Sequence, residues 1–465
     1  MSASTAQRKR SFIGLIICVL ACSLTIWSFY PGFMTPDSIA NLTQGREGVF
    51  YDINAPLMSY LMGIFDRIVA GPGLIFVIHN IVFWAACYVL WLAVADRSLW
   101  LGFAVVLFGL TPGIMAQMTM VLKDVALATG LFAAVALLYF AISKQSRIAL
   151  LISPLFVFYA FAARLNAVAA IIPIAIWSGF VFAEVFGYQV SWLVSASIGI
   201  VYLSTLWIGV YFVADALTEG QTTFPSQQIY LYDLAAISVA KGENLFPAYV
   251  AEDQNFSLST VRERYNERSV NDLIYKDVPS PGDKPVLTLT QDSANFAALK
   301  ASWIEAISAN PIAYLSHRLD IFAQLVGLRK SVTVPYWFFG FSTSPEEFRG
   351  TENLGYAVLI RYFEAFRRPL MQTFFHRMFI CLGISLFLLY KSVRHRLAGG
   401  WQFVFVLASS GISYTLAYFP TTPSTEFRYL FWPAVSSALA IIFGAYLIWT
   451  NRRGRVSVLR ESVSG

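Results

Sequence analysis

A mostly α-helical, polytopic membrane fold follows from three observations. Hydrophobic residues fill 57% of the 465 positions and charged ones only 13%. The mean hydropathy is +0.60. The apolar residues also gather into runs long enough to cross a bilayer, whereas a soluble chain of this size could not cover so much apolar surface with so few polar side chains.

A crossing needs about 20 mostly apolar residues, and Phe12 to Tyr30 supplies them without a charge, directly behind Arg8, Lys9 and Arg10. The length of that run, and an exit through Tyr30-Pro31-Gly32-Phe33 that lacks a small-residue cleavage site, predict a retained first span rather than a secretory signal. Further runs lie at 72–95, 99–116, 125–142, 148–163, 167–182 and 191–213, then at 370–390, 401–419 and 429–450, which predicts about ten spans. Taking the amino terminus as cytoplasmic, alternate loops on that side carry Arg8, Lys9, Arg10, Arg97, Lys144, Arg147, Lys391, Arg394, Arg396, Arg452, Arg453, Arg455 and Arg460. The short loops of the other face hold chiefly Arg46, Lys123, Arg164 and Arg428, so the positive-inside rule predicts that both termini are cytoplasmic. The net charge of +6 thus reads as membrane topology, and a nucleic-acid partner is not expected.

Between 214 and 373 the composition changes, with 18 of the 27 acidic and 14 of the 33 basic residues. This predicts three regions: a membrane module over 1–213 with a first outer loop at 31–56, an outer-face soluble domain over 214–373, and a second membrane module with a basic tail over 374–465. Pro279-Ser280-Pro281-Gly282-Asp283 reads as a turn and Leu299 to Ile307 as an amphipathic helix. Ile312 to Leu328 is apolar enough for a span, but His317, Arg318 and Asp320 at its centre favour a domain or interfacial helix. All four cysteines, Cys18, Cys22, Cys87 and Cys381, fall in apolar runs and read as packing residues.

The outer loops hold the chemistry-bearing candidates. In Thr35-Pro36-Asp37-Ser38, Asp37 is a candidate general base, its carboxyl expected to be raised towards neutrality near apolar surroundings. The same residues equally suit a turn or an N-cap for Ser38 to Gln44. Lys123 in Val121-Leu122-Lys123-Asp124 suits a phosphate at headgroup depth, and a local Lys123–Asp124 salt bridge is the plain alternative. Arg164 in Ala163-Arg164-Leu165-Asn166 offers a planar fork for a phosphate, or ordinary span capping. Arg428 in Glu426-Phe427-Arg428-Tyr429 suits the same ligand, or an interfacial anchor. Asp124, Asn166, Tyr429 and Ser38 are candidate supporting residues. His79, His317, His376 and His395 show no metal-ligand spacing, so no metal ligand is assigned. Asn41-Leu42-Thr43 and Asn255-Phe256-Ser257 match the short glycosylation sequon.

Together these residues resemble the GT-C superfamily of integral membrane glycosyltransferases. The likeness lies in Tyr30 to Ser38, Leu122-Lys123-Asp124-Val125, Ala163 to Asn166, Trp303 to Arg318 with Asn310-Pro311, and Phe427-Arg428-Tyr429. Where many members carry His-Pro-Pro, this chain has Asn54-Ala55-Pro56. The resemblance implies a polyprenyl-phosphate-linked sugar as donor, a glycan such as O-antigen, a lipid or a protein as acceptor, and an active site on the periplasmic or exterior side of a bacterial cytoplasmic membrane. It implies Asp37 as catalytic base and Lys123, Arg164 and Arg428 as donor-phosphate ligands. No cofactor is required by the sequence, while some members of the superfamily use a divalent cation such as Mg or Mn. A multi-pass transporter or lipid-linked-glycan flippase, and a polymerase or ligase taking a diphosphate-linked oligosaccharide, stand as alternatives.

Overall fold

The computed structural model describes residues 3–53, 55–276, 280, 282–329, 344–371 and 377–463, with side chains for all of these except 3, 4, 367–371 and 452–463. Twenty helices appear among them, and the only extended pairings are isolated bridges. In chain order they are α1 (Ala3–Phe29), α2 (Pro36–Glu47), α3 (Pro56–Asp66), α4 (Gly73–Val94), α5 (Leu99–Gly109), α6 (Pro112–Met118), α7 (Lys123–Lys144), α8 (Arg147–Ala163), α9 (Val168–Val185) and α10 (Trp192–Thr218). There follow α11 (Gln227–Lys241), α12 (Ala248–Ala251), α13 (Leu258–Arg264), α14 (Asn271–Ile274), α15 (Ser293–Ala309), α16 (Pro311–Leu325), α17 (Leu354–Met371), α18 (Met378–Arg394), α19 (Trp401–Thr421) and α20 (Phe431–Val463).

Among the described residues seven helices are long and apolar enough to cross a membrane, or eight if the α5–α6 pair, bent by 54°, is one span. The expectation of about ten differs because α8 and α18 are only 17 residues each, and residues 372–376 of the expected 370–390 span lie outside the described residues. At about 1.5 Å per residue each reaches roughly 25 Å, short of a full hydrocarbon core. The bend follows from Pro112, which starts α6 and cannot continue the hydrogen-bond ladder of α5.

α7 forms the centre of the bundle. Its alanines and Gly130 leave little side chain to separate neighbours, so α4, α8, α9 and α20 all pack on it. A Cβ on Gly130 would stand 2.9 Å from Phe156 O of α8. Phe12, Leu20 and Trp27 of α1 and Ile208, Tyr211 and Phe212 of α10 stay exposed, as lipid-facing side chains would. At one end of the bundle Gln7 donates to Asp96 at 2.9 Å and Lys144 pairs with the same carboxylate at 2.5 Å, tying the start of α1 to the α4–α5 and α7–α8 turns.

The other end is built around a backbone zipper. Phe33 N–H donates to Thr119 O and Val121 N–H to Phe33 O, both at 2.9 Å, and the Ser38 hydroxyl donates to Val121 O. Thr35 caps α2 in a reciprocal box with Ser38, and Pro36 occupies the first helical position. α2 then crosses α3 where Gly45 and Gly63 face each other, since a Cβ on Gly63 would meet Gly45 O at 2.3 Å.

The 214–373 segment divides. A separate core runs from Leu231 to Ile321 and is closed by Tyr232, Val261, Leu273, Leu287 and Leu299. Leu325, Val326, Phe348, Leu359 and Phe363 belong instead to the core of the spans. α15 extends the expected amphipathic helix to Ser293–Ala309, and α16 is a 15-residue helix packed between α11 and α19, outside the candidate spans. The expected turn keeps its Asp283 N–H to Ser280 O bond at 3.1 Å, with Pro279 and Pro281 outside the described residues.

Replacing Gly63 by Val is expected to force α2 from α3 at a cost of about 1–3 kcal/mol, seen as a lower thermal midpoint. Gly383→Ala, with no atom within 4 Å of the added Cβ, serves as the neutral control. An unchanged midpoint for Gly63→Val would mean that the crossing does not fix α2.

Candidate active site

Asp37 is the second residue of α2, where the helix N-terminus favours a carboxylate. The cap itself is Thr35, so Asp37 is free to point elsewhere. Its Oδ2 accepts from Arg428 Nη1 at 2.6 Å and lies 3.9 Å from Lys123 Nζ. The zipper supplies Lys123, because Val121 is bonded to Phe33 and the chain enters α7 two residues later. Arg428 comes from the turn Phe427–Leu430 that precedes α20, and its Nε faces the Glu426 carboxylate.

Burial alone would raise the Asp37 carboxyl, but the charges of Arg428, Lys123 and Arg164 outweigh it and hold it at about 2. The expectation of a carboxyl raised towards neutrality is therefore corrected. The residue that reverses the sign stands 391 positions away.

Arg164 ends α8 in an extended conformation that turns its side chain inward. Nη1 lies 2.6 Å from Asp124 Oδ1, Nη2 donates to Tyr418 OH at 2.9 Å and Nε to Asn166 Oδ1 at 3.1 Å. Asn166 Nδ2 also donates to Tyr418 OH at 3.1 Å. Lys123 and Asp124 thus take different partners, and neither the local salt bridge nor simple span capping describes them. The Tyr429 ring lies between the two arginines, 4.9 Å from Arg164 Cζ and 5.4 Å from Arg428 Cζ, and stacks on Tyr418 at 5.3 Å.

Seven of the candidates therefore meet in one polar nest at a single end of the bundle, Asp37, Lys123, Asp124, Arg164, Asn166, Arg428 and Tyr429, while Ser38 bonds Thr35 and Val121 O in the zipper. Glu426, Tyr414 and Tyr418 join it without having been singled out. Glu426, two residues before Arg428 in Glu426-Phe427-Arg428-Tyr429, has no further signal in the sequence, and Tyr414 and Tyr418, four apart on α19, read as ordinary span aromatics. Three cations face three carboxylates, and the alternation of sign lets each buried charge find a partner.

Among the described residues no group of three or more His, Cys, Asp or Glu side chains converges, and each nest carboxylate is already turned to a guanidinium or ammonium group. His79 bonds Tyr159 OH at 2.6 Å within the spans and His395 stacks on Trp401, while His376 lies outside the described residues. Cys18, Cys87 and Cys381 are buried and Cys22 is half-buried, as packing residues would be. Asn41 is buried and bonded to Ser59, which leaves its sequon no room for a glycan. Asn54 lies outside the described residues, but Asp52 beside it accepts from Thr222 Oγ1 at 2.6 Å and from Thr223 N–H at 2.7 Å.

The Trp303 to Arg318 stretch is not in the nest; it anchors the loop that carries half of it. Arg318, wholly buried, donates through Nη2 to Asp233 Oδ2 at 2.7 Å and through Nη1 to Thr422 O at 2.8 Å. Trp303 Nε1 donates to the same Asp233 oxygen at 2.8 Å. Val270 N–H to Pro423 O and Thr425 N–H to Arg268 O, at 3.0 and 2.9 Å, add two backbone ties to the loop leading into Glu426 and Arg428. His317 stands beside this strut, with Nδ1 2.9 Å from Tyr265 OH and Nε2 3.4 Å from Asp233 Oδ1.

Arg318→Ala is expected to destabilise the globular segment by about 3–5 kcal/mol, because Asp233 is left buried and unpaired. The pair Asp233→Leu with Arg318→Met is expected to regain most of that in thermal unfolding, yet to leave Thr422 O without its donor. Equal stability of Arg318→Ala and wild type would remove the strut.

Burial and the Arg318 charge push the His317 imidazole down from 6.5 to about 3. Between those values the unfolded chain holds a proton that the folded one lacks, so the histidine's contribution to stability rises with pH and is lost on acidification. Burial raises the Asp233 carboxyl, which acts in the opposite sense. Comparison with His317→Gln isolates the histidine: a shallower acid destabilisation in the variant is expected, and identical pH dependences would exclude His317 as the cause. Comparison with known proteins finds no matching family model, no matching curated protein and no matching solved structure.

Proposed function

We propose that the chain is an inverting glycosyltransferase of the outer face of a bacterial cytoplasmic membrane, moving a sugar from an isoprenoid phosphate to a hydroxyl of a glycan, lipid or protein. One observation carries the reading: Asp37, Lys123, Arg164 and Arg428, from four separate loops, meet in one nest beside a globular segment. The sidedness rests on the cations that crowd the alternate loops, among them Lys144 beside Asp96 at the opposite end of the bundle.

In the resting site Arg428 holds Asp37 as an ion pair. An arriving phosphate competes for the guanidinium and for Lys123, and as their pull on Asp37 weakens the carboxylate becomes a stronger base. The acceptor hydroxyl then gives its proton to Asp37, and its oxygen bonds to the anomeric carbon while the bond from that carbon to the phosphate oxygen breaks. The electron pair leaves on the phosphate, where Arg428, Lys123 and Arg164 stabilise it. A single displacement of this kind inverts the anomeric centre.

A translocation path is the rival reading. It would use polar groups between the spans, and His79 and Asn80 are such groups. His79 Nε2 bonds Tyr159 OH at 2.6 Å and Asn80 Nδ2 donates to Phe76 O and Met118 O at 3.0 and 3.2 Å, while His79 Nδ1 and Asn80 Oδ1 are buried with no hydrogen-bond partner.

Asp37→Asn in lipid nanodiscs is expected to lower transfer from isoprenyl-phosphate sugars by about 10²–10⁴-fold, with the thermal midpoint kept near that of wild type. Full transfer by the variant would remove Asp37 from the mechanism. Transport by liposomes of the purified protein, with no transfer to any acceptor, would favour the rival.

A further inference from the structure

The globular segment reaches the nest with more than backbone ties. Val270, bonded to Pro423 O, begins the short helix α14, and Ser269 pairs with Ser424 in an isolated bridge. One turn later stands Tyr275, its own N–H bonded to Asn271 O at 3.0 Å. A helical turn advances about 5 Å, so the ring is carried by the strand of chain that touches the Glu426–Arg428 loop. Tyr275 is 41% exposed, although the segment has an apolar core of its own that could have received an aromatic residue. Gln228, from the start of α11, reaches across with Nε2 3.5 Å from the Tyr275 hydroxyl. That hydroxyl feels the nest: burial and the Asp37 charge raise its proton affinity, and Gln228 and Arg428 lower it.

Exposure of a ring beside charged groups, with an amide at its edge, is the arrangement that recognises a neutral hydroxylated ring. The apolar face of a pyranose or furanose packs on the aromatic face, and the amide exchanges hydrogen bonds with its hydroxyls. Position narrows the ligand. A phosphate drawn to Arg428 and Lys123 has Asp37 beside it, and the ties from Val270 to Pro423 O and from Ser269 to Ser424 set the turn that ends at Tyr275 against the loop leading to Glu426 and Arg428. The group bonded directly to that phosphate therefore passes the tyrosine. We infer that Tyr275 and Gln228 contact the sugar carried by the lipid phosphate and determine which sugar the site accepts. This rests on the proposed reading of the nest as a phosphate site.

The experiment measures binding to the full chain in nanodiscs, using a long-chain isoprenyl monophosphate and the same lipid bearing glucose, mannose, galactose or arabinose. In wild type at least one glycosylated lipid is expected to bind more tightly than the bare phosphate. Tyr275→Ala and Gln228→Ala are each expected to reduce that advantage, Tyr275→Ala by about tenfold, and to leave affinity for the bare phosphate unchanged. Tyr275→Phe, which keeps the ring, is expected to retain most of the advantage, separating contact with the sugar from a general loss of structure. Arg428→Gln is expected to weaken both lipids alike.

The assignment alone would be overturned if no sugar gave an advantage in wild type, or if an advantage survived in both alanine variants. Failure of wild type to bind even the bare phosphate would overturn the phosphate reading and the assignment with it. Equal weakening of bare and glycosylated lipids in Tyr275→Ala would also overturn the sugar contact, because it would place the tyrosine's effect on the phosphate or on the fold.

Discussion

The ion pair between Arg428 and Asp37 is the interaction on which the arrangement of the site depends. It joins the first loop of the chain to its last span, at 2.6 Å, and neither partner is placed by its own helix alone. Asp37 is where it is because Phe33 is zipped to residues 119–121 and Thr35 starts α2. Arg428 is where it is because the loop from Thr422 to Thr425 is held by Arg318, Arg268 and Val270 of the globular segment. Moving either support by one residue would separate two charges that the surroundings solvate poorly. The supports therefore have to be rigid.

The globular segment is accordingly a brace as much as a wall. Thr222 and Thr223 grip Asp52 of the first loop, and the Asp233–Arg318 strut grips Thr422 of the last. Both ends of the nest are thus fastened to one body with its own apolar core. Buried ion pairs are poor sources of stability, because desolvation offsets most of the attraction. Arg318 bridging a carboxylate and a backbone carbonyl fits a role in positioning better than one in stabilisation.

Much of this was legible in the sequence, for a simple reason. Charged residues in an apolar context stand out, and Asp37, Lys123, Arg164 and Arg428 were the charges at span ends with no composition to hide in. Their pairing was not legible, since it depends on which loops the bundle brings together. That is why the direction of the Asp37 shift was misread and why Lys123–Asp124 looked like a local bridge. About ten spans are expected and seven or eight helices among the described residues are long and apolar enough, because a run of apolar residues records neither the bend at Pro112 nor the 17-residue length of α8 and α18. Tyr414 and Tyr418 escaped notice because an aromatic residue inside a span is ordinary until a guanidinium is found against it.

The balanced charges of the nest bear on how it would handle a phosphate. Three cations with no counter-ions would be costly to keep at the edge of a bilayer and would attract any anion that passed. With Asp37, Asp124 and Glu426 opposite them, the three cations are matched by three carboxylates, and on the proposed reading a phosphate competes for each guanidinium rather than falling into a field. On the proposed reading this competition ties the base to the donor. Asp37 is paired while no phosphate is present and is released as one binds, so the proton acceptor strengthens only when the leaving group is in place. A site whose base stood ready beforehand would lack that coupling and would have to carry an unpaired carboxylate against the spans in its resting state.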